Sequence, residues 1–265
     1  VVVPPGLGEP EGVMTGAASF ESGVFLVDKP VGPTSFRVVQ QVRRALQIKK
    51  VGHTGTLDPF ASGLLILCVG RRATRMIPRL MGGDKLYEAT LKLGVETDTL
   101  DCQGRVLAVR PVPSLDLTTV ETCLAGFRGE LMQTPPAFSA LKHEGKPLYQ
   151  YARQGITIKK AARPVFISEL SCTALGEGTM GIRVRCSKGT YIRSLAADIG
   201  QVLGCGAHLL DLRRWENGPF SVIAALPGVA LEDRQAAQAA LLSQFYTVEE
   251  IEQILLRQEG VGKEQ

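Results

Sequence analysis

The chain has 265 residues, of which 45% are hydrophobic and 21% charged, enough for one large domain or one domain plus a small appendage around a buried core. Its net charge of +4 is mildly basic and by itself names no partner. No apolar run approaches the ~18 residues that a membrane helix needs, and six cysteines without a CxxC pair, beside three scattered histidines, lack zinc-site spacing. No metal, no membrane association and reduced thiols in a cytoplasmic protein are therefore expected.

Residues 1–22 lack a basic leading segment and carry Pro, Gly and Glu, so they read as a flexible tail rather than a signal peptide. Residues 23–33, GVFLVDKPVGP, form an apolar strand broken by Asp28-Lys29-Pro30, with Asp28 a solvated turn residue. Thr34-Ser35 cap a helix over 36–47, whose Val38, Val39, Val42, Ala45 and Leu46 recur at helical spacing. Arg37, Arg43, Arg44, Lys49 and Lys50 decorate it. Such a charged face is usually solvated, although Lys49-Lys50 precede the next stretch directly and suit phosphate.

Residues 51–65, VGHTGTLDPFASGLL, are the centre of the chain. Gly52 and Gly55 suit tight turns, and Pro59 pushes Asp58 away from helical geometry. Residues 64–69 then read as a buried strand. The stretch thus presents one carboxylate at the mouth of a core strand. With an ordinary pKa of about 3.9 it is ionised at neutral pH and can attack an electrophile without a base. Taken alone, an Asp-Pro step more often caps a turn.

Residues 84–94, DKLYEATLKLG, alternate at strand period and put Tyr87 on the apolar side. Asp98 and Asp101 read as turn residues before a strand at 105–109, and residues 119–127 read as a helix. The stretch 129–164 combines Lys142, His143, Lys146, Arg153, Lys159, Lys160 and Arg163 with Tyr149 and Tyr151, and Glu144 is its only acid from 137 to 164. A basic excess interleaved with aromatics fits a face turned to nucleic acid. Residues 165–175 and 180–186 read as paired strands, and SKGTYIRSLAADIG at 187–200 as a turn and helix. On helical spacing alone Arg193 lies off the inward face, as a surface arginine. GCGAHLLDLRR follows at 204–214, and two helices are expected around 231–242 and 247–257.

The string GHTGTLDPFASGLL closely resembles the catalytic motif of the bacterial tRNA pseudouridine-55 synthase family. Lys29-Pro30, the KxYxAxxxLG pattern around Tyr87, KGTYIR and GCGAHLLDLRR match further motifs of that family in its order, and the resemblance covers roughly residues 23–220. It implies an α+β pseudouridine synthase fold, with a mixed, mostly antiparallel central sheet flanked by helices. It also implies an inserted basic thumb at about 130–164 that grips the T-arm stem-loop of tRNA. The implied reaction isomerises uridine to pseudouridine at T-loop position 55, with base flipping and no cofactor.

By the same resemblance Asp58 is the nucleophile, Tyr87 stacks on the target uracil and shares in proton removal, and Arg193 ion-pairs with Asp58 and orients it. Tyr191 walls the pocket, Leu209 or Leu210 packs on the ring, and Lys29 supports the catalytic loop. His53 fills the space of the flipped base, and Lys142, Lys159 and Lys160 meet phosphates. A monomer is expected, with a catalytic domain over 23–225 and a helical segment over 226–265. Nothing after Phe245 shows the alternating strands of the PUA domain that many members carry. The main rival is a non-catalytic RNA-binding or tRNA-folding module. Others are a nucleoside hydrolase, which would need a second carboxylate, and a guide-RNA-dependent relative.

Overall fold

The computed structural model describes residues 20–158 and 160–261, and the side chains up to 258. The chain divides into two compact units, one of residues up to Lys85 together with those from Arg213 onward, the other Leu86–Leu212. Strands pair both parallel and antiparallel and helices pack beside them, so the fold is α+β with a mixed sheet.

In the first unit the strand Ser62–Val69 is central. Gly23–Lys29 pairs with it antiparallel along its length, Val51–His53 pairs antiparallel with its far half, and Arg213 and Arg214 pair parallel with Ser62 and Gly63. Leu226–Pro227 adds a parallel strand beside Gly23–Lys29. Alternate side chains explain why the run 64–69 is apolar throughout. Leu64, Ile66 and Cys68 pack with Val24, Leu26, Met76, Phe220 and Ile251 on one face. Leu65, Leu67 and Val69 pack with Phe25, Val38, Val42 and Leu241 on the other. A strand covered on both faces has no polar side to show.

The helix Ser35–Leu46 starts where Thr34 accepts the Arg37 N–H at 3.1 Å and ends at Gln47 in the left-handed region. Residues 1–19 of the expected tail lie outside the described residues. Phe20 and Ser22 are already docked: Phe20 packs edge-on to Phe25 and Phe245, and the Ser22 hydroxyl donates to Val69 O and accepts from Ala73 N. The helix expected at 231–242 begins three residues later, at Arg234, because the Asp233 side chain accepts the Ala236 N–H. Leu231 ends a preceding 3-10 turn instead.

In the second unit Arg163–Gly176 pairs antiparallel with Thr179–Cys186 on one side and Gly129–Gln133 on the other. The expected basic insertion holds a small hairpin, Lys142–His143 with Lys146–Pro147, and the short helix Leu148–Ala152. The helix Ile192–Val202 follows, and Ala207–Asn217 runs from this unit into the first. Among the described residues no helix is long and apolar enough to cross a membrane.

Gly63 has no room for a side chain. Its φ is +104°, and a Cβ there would lie 2.2 Å from Arg214 O. Gly63→Ala should lower unfolding free energy by roughly 3 kcal/mol or more, measured by urea denaturation, whereas Gly32→Ala, with nothing within 4 Å, should cost less despite its positive φ.

Candidate active site

In the first unit, Asp58 sits half-buried in the loop between Val51–His53 and Ser62–Val69. The loop is anchored at several points. Leu57 N–H donates to the Ser35 hydroxyl, which donates back to Leu57 O, both at 2.9 Å. Gly32 N–H donates to Pro59 O and Ala61 N–H to Asp58 O. Below the loop lies Arg214, only 2% exposed, whose Nε donates to Leu64 O at 2.7 Å and whose Nη2 donates to Gly55 O at 3.1 Å. Asn217 Nδ2 donates to the Thr54 hydroxyl at 3.0 Å. Its burial makes Arg214 part of the structure of the loop rather than a surface contact.

Lys29 is fully buried, and its ammonium donates to Pro30 O and Pro33 O at 2.9 Å each. Burial lowers its pKa from 10.5 to about 8; the Asp58 charge opposes that shift and Arg214 adds to it. Asp58 therefore lies within electrostatic reach of the buried Lys29 ammonium. His53 accepts the Gly55 N–H at Nδ1, 3.3 Å away, which leaves the proton of the neutral ring on Nε2. Burial, then Arg214, lowers the His53 pKa, so the ring is neutral at neutral pH. Asp28 is not a solvated turn residue: both its oxygens take the Arg213 guanidinium, at 3.0 and 2.8 Å, and that guanidinium also stacks over Trp215.

In the second unit, Tyr87 lies buried on Lys85–Leu93, on the side shared by Ala89, Leu91 and Leu93, as the alternation predicts. Arg193 departs from the surface position that helical spacing suggests: it is 4% exposed. Its Nη1 donates to Thr99 O at 2.8 Å and lies 3.5 Å from Asp101 Oδ2, and its Nη2 donates to Phe138 O at 2.7 Å. Asp101 thus does more than turn the chain. Its Oδ1 accepts from the Thr99 hydroxyl and from Gln103 N–H, and Oδ2 faces Arg193.

Tyr191 is clamped by a side chain that sequence reasoning missed. The Gln133 carboxamide accepts the Tyr191 N–H at 2.7 Å and donates to Tyr191 O at 3.1 Å, and the Arg163 guanidinium lies 5.2 Å from the Tyr191 ring. Leu209 is fully buried and its N–H bonds Leu100 O, so as it stands it offers no face to a ligand. Leu210, 44% exposed, is the one of the pair that does. Lys142 is exposed. Lys160 is half-buried with its ammonium 3.2 Å from His143 Nδ1, so it is already engaged. Lys159 lies outside the described residues.

The Lys29 shift has a sign that can be tested. Between pH 8 and 10.5 the unfolded chain holds the Lys29 proton more tightly than the folded one, so this group's contribution to stability rises with pH there. Relative to Lys29→Met, unfolding free energy should gain on the order of 2 kcal/mol from pH 7 to 10, read by urea titration at each pH; a flat difference would contradict the buried charge.

The sequence pattern of the TruB family pseudouridylate synthase N-terminal domain matches residues 43–192, and that of the tRNA pseudouridylate synthase B C-terminal domain matches residues 193–259. The chain is 55% identical over 243 residues to the tRNA pseudouridine synthase B of Desulfotalea psychrophila, covering 89% of this chain and 98% of that one. It is 45% identical over 234 residues to the protein of the same name from Haemophilus influenzae, covering 88% and 72%. Among solved structures it resembles the archaeal box H/ACA sRNP Nop10-Cbf5 complex, with a TM-score of 0.63 and 26% identity over 88% of this chain and 61% of that chain. A Cbf5-Nop10-Gar1 complex gives a TM-score of 0.66 at 25% identity, covering 91% of this chain and 68% of that one. With both domain patterns in sequence over residues 43–259, the chain belongs to the TruB family of pseudouridylate synthases.

Proposed function

We propose that the protein isomerises uridine to pseudouridine in tRNA, at position 55 of the T-loop, acting as a monomer. The observation that carries this reading is the 55% identity that spans 98% of a relative named tRNA pseudouridine synthase B. The chemistry of the Asp58 loop supports it. One carboxylate lies within electrostatic reach of the buried Lys29 ammonium, on a loop fixed by backbone hydrogen bonds and by the buried Arg214.

In this reading the C1′–N1 bond breaks, uracil turns, and C5 bonds to C1′. C5 gives up its proton and N1 takes one, so no redox partner or second substrate is needed. Asp58 forms the covalent adduct, to C6 of the base or to C1′ of the ribose. Arg193 orients the Asp58 carboxylate with a guanidinium, whose planar pair of donors suits a carboxylate. Tyr87 stacks on the ring and shares in removal of the C5 proton, Tyr191 walls the pocket and Leu210, the exposed one of the leucine pair, packs on the base. His53, neutral, fills the stack that the base vacates. Flipping the base costs a few kcal/mol, and stacking on Tyr87 returns about 1–3 kcal/mol of it. The basic insertion grips the T-arm through phosphate contacts from Lys142, Lys159 and Lys160.

Asp58→Asn should abolish tritium release from a T-arm RNA labelled at C5 of its uridines while tRNA binding stays within about twofold, since the amide keeps the shape and loses the nucleophile. Substantial release by the variant would remove Asp58 from the chemistry. Lys142→Gln should reduce the salt dependence of log Kd by about one charge, read by filter binding across a potassium chloride series. Lys160→Gln should change that slope less, because its ammonium is already shared with His143.

A further inference from the structure

The helix Ser35–Leu46 buries Val38, Val39, Val42 and Ala45. Arg37, Gln40, Gln41 and Arg44 recur at i, i+3, i+4 and i+7, and so form one stripe. With Pro33 and Glu232 they line an open groove of about 790 Å³. Both arginines are exposed, and among the described residues neither guanidinium has an ion-pair or hydrogen-bond partner. Arg43 differs, since it donates to Val51 O at 3.0 Å and lies over the Phe36 ring. From residue 35 to 50 the chain has no carboxylate.

We propose that this groove takes the phosphodiester backbone of the RNA substrate. The inference rests on the tRNA reading above and adds a contact surface to it. Positions seven residues apart lie about 10 Å apart along a helix axis, so the two side chains can meet different phosphates of one strand. The two glutamines between them offer amide donors to phosphate and ribose oxygens without selecting a base. Phe36, 56% exposed, stands beside the stripe with Arg43 over its ring, an aromatic against which an unpaired base can pack. An acidic protein would satisfy the arginines but would leave that aromatic and the paired amides without a purpose. Glu232 is the one carboxylate among the lining residues, set against two arginines. The groove also borders the catalytic loop, because Gly32, which lines it, donates its N–H to Pro59 O at 2.8 Å.

The test compares the full chain with Arg37→Gln/Arg44→Gln and with Arg37→Lys/Arg44→Lys, using an unmodified tRNA transcript. The glutamine pair should weaken tRNA binding about tenfold or more near 0.1 M potassium chloride and lower the salt slope by about two. Turnover at saturating tRNA should stay within about twofold, and the lysine pair should recover most of the affinity. Circular dichroism melting of each variant checks the fold. Unchanged affinity and slope in the glutamine pair, with an active parent protein, would overturn the groove assignment. A parent protein that makes no pseudouridine in tRNA would instead overturn the tRNA reading, a separate result.

Discussion

The constraint on which the first unit depends is a pair of cations taken out of water beneath a loop that carries one carboxylate. Arg214 is held by two main-chain carbonyls, Leu64 O and Gly55 O, and Lys29 by two others, Pro30 O and Pro33 O. Hydrogen bonds to carbonyls satisfy donors but do not neutralise charge. The positive charge is offset by Asp58, the anion that opposes the fall in the Lys29 pKa. Lys29 therefore links the backbone of its own turn to the charge of the Asp58 loop, and loop geometry and charge are set together. Asp28, next to Lys29, cannot serve as a spare acid, because both its oxygens are committed to Arg213.

The second unit solves a related problem around Arg193. Three residues of one turn and helix start reach the segment that opens the basic insertion: Tyr191 through Gln133, Arg193 through Phe138 O, and Ser194 through Thr134 O. The root of the basic insertion and the arginine proposed to orient the nucleophile are thereby fixed to each other. Asp101 adds the charge, with Oδ1 anchored by Thr99 and Gln103 so that Oδ2 stays turned to Arg193.

Much of this was legible in sequence, for identifiable reasons. The two-sided burial of Ser62–Val69 shows as an unbroken apolar run, and the helix Ser35–Leu46 shows through its cap and its valine spacing. Period-two alternation placed Tyr87 correctly. Local pattern treats polar residues as exposed, which hid the burial of Arg193, Arg214 and Gln133, held by carbonyls and amides distant in sequence, and of Lys29, held by the nearby Pro30 O and Pro33 O. Asp28 misled in the same way, since its partner is 185 positions away. Motif resemblance marked Lys29 and Arg193 as functional, but it did not say that both are enclosed.

The central claim is that a lone carboxylate backed by buried cations rearranges a glycosidic bond rather than hydrolysing it. The direct measurement is a product balance: tRNA labelled in its uracil rings is incubated with the purified chain, and nucleosides and free base are quantified by mass spectrometry. The account predicts that every uridine consumed reappears as pseudouridine at one T-loop position, with no free uracil. Free uracil matched by abasic ribose, or no conversion at all, would contradict it.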